Sequence, residues 1–301
     1  IINFLIIIFS LYSFNRYSNY GNDIPSHLYF FILVIYFLKI NNLKKINSYT
    51  FYKIVLISIF LFALKPFMVI VLVIPFLLLV IHQEKLKIIK NKKMILCFIL
   101  ISIWILKNIL ISGCLVFPVK GTCLKNLNYF NEDVVNLASN EAEAWAKGFP
   151  DQKSNNKLAF KEYNSNFNWF ATWKENHLKK IQEKILPLLL FILIFVIPYI
   201  LIRSHNNYQN NKKKIDYNLI LITMFSFICS VYWFFYFPVY RFGISFLATF
   251  IITIFVLIIF QFRSLKKINI KYFWVLILIF FLGSMGKNYD RIFKNYDNFY
   301  I

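Results

Sequence analysis

Long apolar runs joined by short lysine-rich connectors constrain most strongly how this chain folds. The long runs cover residues 94–111, 185–202, 217–237, 244–262 and 272–285. Shorter or proline-marked runs cover residues 24–38, 49–64 and 66–82. A membrane-spanning helix needs about 20 mostly apolar residues, and 59% of the chain is hydrophobic whereas only 16% is charged. The sequence therefore predicts an all-α fold, a polytopic bundle of transmembrane helices.

The ends of the chain complete the predicted organisation. The sequence opens on Ile-Ile-Asn-Phe-Leu, without an initiator methionine or a basic leader, and we interpret residues 1–11 as the end of a truncated first span. The prediction is then about nine spans, within membrane parts at residues 1–111 and 185–286. Residues 112–184 are expected to form one extracytoplasmic helical lobe, and residues 287–301 a tail on the outer side.

The basic residues behind the formal net charge of +21 are distributed unevenly among the connectors. If residues 39–53 lie inside, half of the 34 Lys and Arg residues fall in inner connectors, at residues 39–53, 82–93, 203–216 and 263–271. The short outer connectors hold one basic residue each: Arg16, Lys65 and Arg241. This alternation follows the positive-inside rule. The charge therefore indicates contact with lipid rather than nucleic acid, and it places residues 112–184 outside.

Two cysteines open the predicted lobe, in S-G-C-L-V-F-P-V-K-G-T-C (residues 112–123). The lack of an N-x-Ser/Thr sequon favours a bacterial host, so we expect an inner (plasma) membrane with the lobe on the oxidising, periplasmic side. There a disulfide between Cys114 and Cys123 is favoured over free thiols. A zinc site needs two further ligands, and no nearby His or Cys pair offers them.

Two helices are predicted within the lobe. Residues 131–147 begin at a capping asparagine and end before a glycine and a proline. Residues 167–185 are amphipathic, with Trp169, Trp173 and His177 on one stripe. This stripe either lies flat in the lipid headgroup layer or packs against the first helix of the lobe.

One acidic residue stands out among the short outer connectors. Asp23 lies in Y-G-N-D-I-P-S-H (residues 20–27), four residues before His27. A carboxylate held against the membrane can act as a general base or share a divalent ion with the histidine. Alternatively, Asn22 and Asp23 only make the turn before the next helix. The spacing leaves both interpretations open.

The outer basic residues also allow two interpretations. Arg16, Arg241 and Lys65 are suited to a lipid-linked phosphate, because guanidinium and ammonium groups bind phosphate oxygens. They equally suit helix ends that anchor in the aromatic interface of a membrane. In the lobe, Glu141, Trp145 and Asp151 are a candidate glycan-binding face or an ordinary helix surface.

The pattern K-N-x-x-x-S-G-C-L-V-F-P-V-K-G-T-C (residues 107–123), followed by A-W-A-K-G-F-P-D (residues 144–151), resembles a group of bacterial polytopic membrane proteins. That group is associated with surface-polysaccharide synthesis and is similar to glycosyltransferases of the GT-C type. The resemblance implies an all-helical fold, a polyprenyl-phosphate sugar as substrate, and a key acid in an outer loop near the membrane.

The resulting expectation is an enzyme of surface-glycan assembly, a lipid-phosphate-sugar-dependent glycosyltransferase or polymerase. Asp23, with His27, is the candidate base. The expected partners of the enzyme are the lipid bilayer and a lipid-linked sugar. Whether it uses a divalent metal as a cofactor is left open. Two alternatives stay open from the sequence: a transporter or flippase, and a non-catalytic scaffold of the cell envelope.

Overall fold

The computed structural model describes residues 1–14, 21–40, 43, 45–83, 89, 91–149, 159–197, 217–262 and 270–294. In this part of the chain the regular structure is helical, with one isolated bridge between Cys114 and Cys123. Arg16 and Asp151, two candidate site residues, lie outside the described residues.

The N-terminal membrane part and the lobe follow each other along the chain. The first contains α1 (Ile2–Ser13), α2 (Asp23–Leu38), α3 (Ser48–Leu64), a 3₁₀ segment (Pro66–Leu72), α4 (Val73–Ile81) and α5 (Lys92–Ser112). The lobe contains a 3₁₀ turn (Lys120–Thr122), α6 (Glu132–Ala146), α7 (Phe160–Asn164) and α8 (Phe170–Trp173). A π-helical turn (Lys174–Leu178) connects α8 to α9 (Lys179–Phe191), which enters the bundle through a second one (Ile192–Val196). The chain continues with α10 (Tyr217–Tyr236), α11 (Tyr240–Phe262) and α12 (Ile270–Lys294).

Three helices among the described residues are long and apolar enough to cross a membrane: Lys92–Ser112, Tyr217–Tyr236 and Tyr240–Ile258. Four other apolar helices are shorter: Ile2–Ser13, Asp23–Leu38, Ser48–Leu64 and Pro66–Ile81. At 1.5 Å per residue, the 16 residues of α2 extend about 24 Å, against a hydrocarbon core of about 30 Å. The protein is therefore a helical membrane protein with three candidate spans in this part of the chain, and the nine predicted spans are not supported.

Aromatic packing joins α2 to the hairpin formed by α10 and α11. The rings of Phe30 and Phe246, both fully buried, lie 4.8 Å apart. α1 packs against α9, α11 and α12, whereas α5 contacts α3 and leaves most of its apolar surface exposed. Such an exposed surface is what a lipid-facing helix presents.

The lobe has its own polar framework. Asn131 caps α6 by accepting a hydrogen bond from the backbone N–H of Val134 at 3.1 Å. Lys147, at 6% exposure, pairs with Glu143 and donates to the carbonyl of Asn164, so that α6 and α7 are held together. A disulfide joins Cys114 and Cys123 at the entry to the lobe.

The tryptophan stripe of the lobe packs against protein. Trp169 and Trp173 are 2% and 6% exposed, and both rings contact Phe234 at the end of α10. Trp173 Nε1 also donates to the carbonyl of Pro238 at 2.5 Å. The sequence left open a position in the headgroup layer or packing against the first helix of the lobe, whereas the structure shows Trp169 and Trp173 packed against α10 and the turn after it. The lobe is thereby attached to the membrane bundle.

Candidate functional site

Four helix ends meet beneath the lobe: the carboxyl ends of α1 and α3 and the amino ends of α2 and α11. Asn22 Nδ2 donates to the carbonyl of Leu64 at 3.0 Å and joins α2 to α3. Lys184 Nζ on α9 donates to the carbonyl of Ser13 at 2.8 Å and joins the helix leaving the lobe to α1. A shallow pocket lies among the ends of α1, α2 and α11 and Lys184 of α9, and the open space in it, solvent at its mouth included, is about 340 Å³. Its walls are largely apolar, with Phe14 among them.

Asp23 is the buried carboxylate of this pocket. It is 4% exposed and lies in the first turn of α2, where the positive helix end favours an acid. Lys65 Nζ is 2.6 Å from Asp23 Oδ1, and Arg241 Nε is 3.9 Å from Asp23 Oδ2. The sequence singled out these three residues separately, and the structure brings them into one charged cluster.

His27 bonds to protein through both ring nitrogens. Its Nε2 donates to the carbonyl oxygen of Arg241 at 2.7 Å, because a carbonyl can only accept. Its Nδ1 lies 2.8 Å from Ser245 Oγ, and Phe14 stacks on the ring at a centroid distance of 5.2 Å. These contacts make His27 a support that holds the Arg241 backbone at the pocket.

The two described residues of the proposed glycan-binding face, Glu141 and Trp145, occupy a different place. Trp145, at 44% exposure, lies on α6 with its Nε1 3.4 Å from Glu141 Oε1, and neither residue lines the pocket. Within the described residues, no group of three His, Cys, Asp or Glu side chains lies close enough to hold a metal ion. The structure thus brings together Asp23, Lys65 and Arg241 and leaves Glu141 and Trp145 apart from them.

The lobe also holds the turn that carries Arg241. The backbone N–H of Val239 donates to the carbonyl of Ala146 at 3.2 Å. His177 lies against Gly148, where an added Cβ would be 2.7 Å from its Nε2, and its ring faces Tyr240 at 6.0 Å. The position of Arg241 therefore depends on contacts with the lobe as well as on α11 itself.

We expect the protein to lose stability as the pH falls from about 6.5 to 4. Burial, and secondarily the charges of Lys180 and Arg241, lower the pKa of His177 from 6.5 to about 4. Between these values the unfolded chain binds more protons, so this contribution is complete above pH 6.5 and lost by pH 4. Melting temperatures measured across this range test it. The variant His177→Gln should show a weaker pH dependence; an unchanged profile would contradict the assignment.

Comparison with known proteins assigns the chain to a family. Residues 1–248 match the family described as "Domain of unknown function (DUF8201)". The chain belongs to DUF8201. The match includes all residues that line the pocket of this DUF8201 protein, and it ends within α11. No curated protein and no solved structure matches the chain.

Sequence reasoning missed part of the pocket of this DUF8201 chain. Ser13 and Lys184 are separated by 171 positions, and neither stands in a motif that marks it as a site residue. Tyr240, which also lines the pocket, directly precedes Arg241. The one local signal for Tyr240 was its position next to Arg241, the only basic residue in the sequence between positions 238 and 243.

Proposed function

We propose that this protein is a membrane-bound transferase of bacterial surface-glycan assembly, which takes a sugar from a polyprenyl-phosphate carrier. The cluster of Asp23, Lys65 and Arg241, in which Asp23 and Arg241 line the pocket and Lys65 is paired with Asp23, carries this proposal. Guanidinium and ammonium groups bind phosphate oxygens, and a carboxylate can accept the proton of a sugar hydroxyl. These are the two kinds of group that transfer from a lipid phosphate requires.

The ion pair between Lys65 and Asp23 sets the order of events in this mechanism. In the structure the ammonium engages the carboxylate. A lipid phosphate that binds Arg241 draws Lys65 toward itself, and Asp23 becomes available as a base. The acceptor oxygen then attacks the anomeric carbon while the bond from that carbon to the phosphate oxygen breaks. Asp23 takes the acceptor proton, and the phosphate leaves with the bonding electrons, its charge stabilised by Arg241 and Lys65.

The remaining walls of the pocket suit the lipid part of such a donor. Phe14, Ile24 and Ile244 line it beside the charged groups. An apolar wall next to a few placed charges is the usual composition of a ligand pocket. In this proposal the phosphate binds at the cluster and the first isoprenoid units lie along the apolar residues.

The membrane arrangement is part of the same proposal. The alternation of basic connectors supports an outer position for the lobe, and hence an outer position for the pocket beneath it. We infer that the shorter helices also enter the bilayer, because tilting, bilayer thinning or snorkelling accommodates short apolar helices at modest cost. The location of the pocket at helix ends, rather than at mid-membrane, favours transfer over transport.

Replacing Asp23 with Asn and Arg241 with Gln, separately, in the full-length gene of the host tests this function. We expect each variant to lose surface polysaccharide by at least about 100-fold, since loss of a base or of a charge-stabilising group has effects of this order. Polysaccharide is measured by immunoblot and sugar analysis, with membrane levels of the protein measured in parallel. Glu132→Gln, on the exposed surface of the lobe, is the matched control. Normal polysaccharide with stable variants would contradict the proposal.

A further inference from the structure

A group of basic and aromatic residues lies at the helix ends opposite to the pocket, where the carboxyl end of α2 meets the amino ends of α3 and α5. Lys53 Nζ on α3 donates to Tyr36 Oη on α2 at 3.2 Å. The same ammonium lies 4.3 Å from the ring centroid of Tyr49, and Lys93 Nζ on α5 lies 4.8 Å from that centroid. The exposed ring of Tyr49 therefore contacts two ammonium groups that come from neighbouring helices.

The two ammonium groups retain donors for a ligand. An ammonium carries three N–H donors and no acceptor, and Lys53 uses one of them on Tyr36. Among the described residues, no carboxylate pairs with Lys53 or Lys93. Cation–π contacts attract each ammonium to the ring, but they do not remove the repulsion between two like charges beside each other. A phosphate whose oxygens accept from both ammonium groups would compensate this repulsion.

An exposed apolar stripe begins at one of these lysines. Leu96, Leu100 and Ile103 follow Lys93 at intervals of three and four residues, so all four lie on the same face of α5. The three apolar side chains are exposed, and α5 is long and apolar enough to cross a membrane. A lipid whose phosphate binds at Lys93 can therefore lay an acyl chain along this stripe.

We propose that the amino ends of α3 and α5 bind an anionic phospholipid, with its phosphate at Lys53 and Lys93 and an acyl chain along the exposed stripe of α5. An anionic headgroup fits better than a zwitterionic one, because the cation of a zwitterionic headgroup would add a third positive charge beside the two lysines. The basic connectors predict that these helix ends lie on the inner side of the membrane, where anionic lipids create a negative surface potential. This inference goes beyond the proposed function, because the site lies away from the pocket of Asp23.

Native mass spectrometry of the full chain in neutral detergent tests the inference. Phosphatidylglycerol and phosphatidylcholine with the same acyl chains are each added at increasing concentration. We expect phosphatidylglycerol to bind about 30-fold more tightly, which corresponds to roughly 1 kcal/mol for each lysine. Lys53→Gln/Lys93→Gln should remove this preference. Tyr49→Leu leaves the charge unchanged and should reduce the preference about tenfold, because each ammonium loses a cation–π contact.

Lys45→Gln/Lys92→Gln is the matched control. It removes the same charge from two exposed lysines near the starts of α3 and α5, and it should keep most of the preference. Equal affinity of the unmodified protein for the two lipids would overturn the proposal. An equal loss of preference in the two double variants would show general surface charge instead of a site at Tyr49, and would overturn it as well.

Two further results decide the remaining cases. Glycerol 3-phosphate carries the phosphate without acyl chains, and binding as tight as that of phosphatidylglycerol would show a site for a soluble phosphate and overturn the lipid. If Lys53→Gln/Lys93→Gln does not fold, Tyr49→Leu decides alone, since it replaces an exposed side chain. An undiminished preference for phosphatidylglycerol in Tyr49→Leu would then contradict the proposal.

Discussion

Asp23→Leu is expected to lower the free energy of unfolding by about 3 kcal/mol, the lower end of the effect found when one partner of a buried ion pair is removed. Asp23 has a side-chain exposure of 5% and Lys65 of 20%. The substitution leaves the Lys65 ammonium in a largely dry site, beside the guanidinium of Arg241. Unfolding of the purified protein in mixed micelles with increasing denaturing detergent measures the loss.

Two comparisons separate this effect from ordinary loss of charge. In Asp23→Leu/Lys65→Met the unpaired cation is gone, so we expect most of the lost stability to return while polysaccharide synthesis stays absent. The pair between Lys125 and Glu132 is the control, because both side chains are more than half exposed. There Glu132→Gln should change stability by less than about 1 kcal/mol. A similar loss at the two pairs, or a double variant as unstable as Asp23→Leu, would contradict the buried pair.

Gly243→Ala is expected to have the second large effect, a loss of about 3 kcal/mol, at the upper end of the cost of overpacking a core. Gly243 lies two residues after Arg241, in the first turns of α11. A Cβ added there would be 2.0 Å from Cγ of Trp233 on α10. The indole is held in place, since its Nε1 donates to the carbonyl of Val239 at 3.0 Å. The substitution must therefore separate α10 from α11 at the turn that carries Arg241.

Gly283 on α12 is the matched control for this substitution. A Cβ added at Gly283 meets no atom within 4 Å, so Gly283→Ala should be neutral or stabilising by about 0.5–1 kcal/mol through its helix propensity. In Gly243→Ala we also expect weaker donor binding, because the displaced turn moves Arg241. Both glycine variants are compared by thermal unfolding in detergent. Equal melting temperatures would contradict the close contact between Gly243 and Trp233.

The individual charged residues of the site could be predicted from the sequence, but their meeting could not. Asp23, Lys65 and Arg241 were conspicuous because short outer connectors contain few charges. Their convergence depends on the tertiary structure, since Asp23 and Arg241 lie on helices that are far apart in the sequence. Ser13 was missed because a serine within an apolar run has no periodic signal.

The fold, too, could be predicted from the sequence only in part. Helical class follows from the length and composition of the apolar runs, and the cap at Asn131 follows from local chemistry. The number of spans does not follow, because the length of an apolar run does not show how much of it forms one α-helix: the run 66–82 begins with a 3₁₀ segment (Pro66–Leu72) before α4. The packing of Trp173 on Phe234 was not predicted, because an amphipathic stripe does not show which surface covers it.

The central claim is that the pocket of Asp23 and Arg241 binds a lipid-linked phosphate. Native mass spectrometry of the protein, purified in mild detergent from its host membrane, tests this most directly. We expect a co-purified polyprenyl-phosphate lipid on the unmodified protein and on Glu132→Gln, and its loss from Arg241→Gln. Bulk phospholipids alone on the unmodified protein, or the same bound lipid on Arg241→Gln, would contradict the claim.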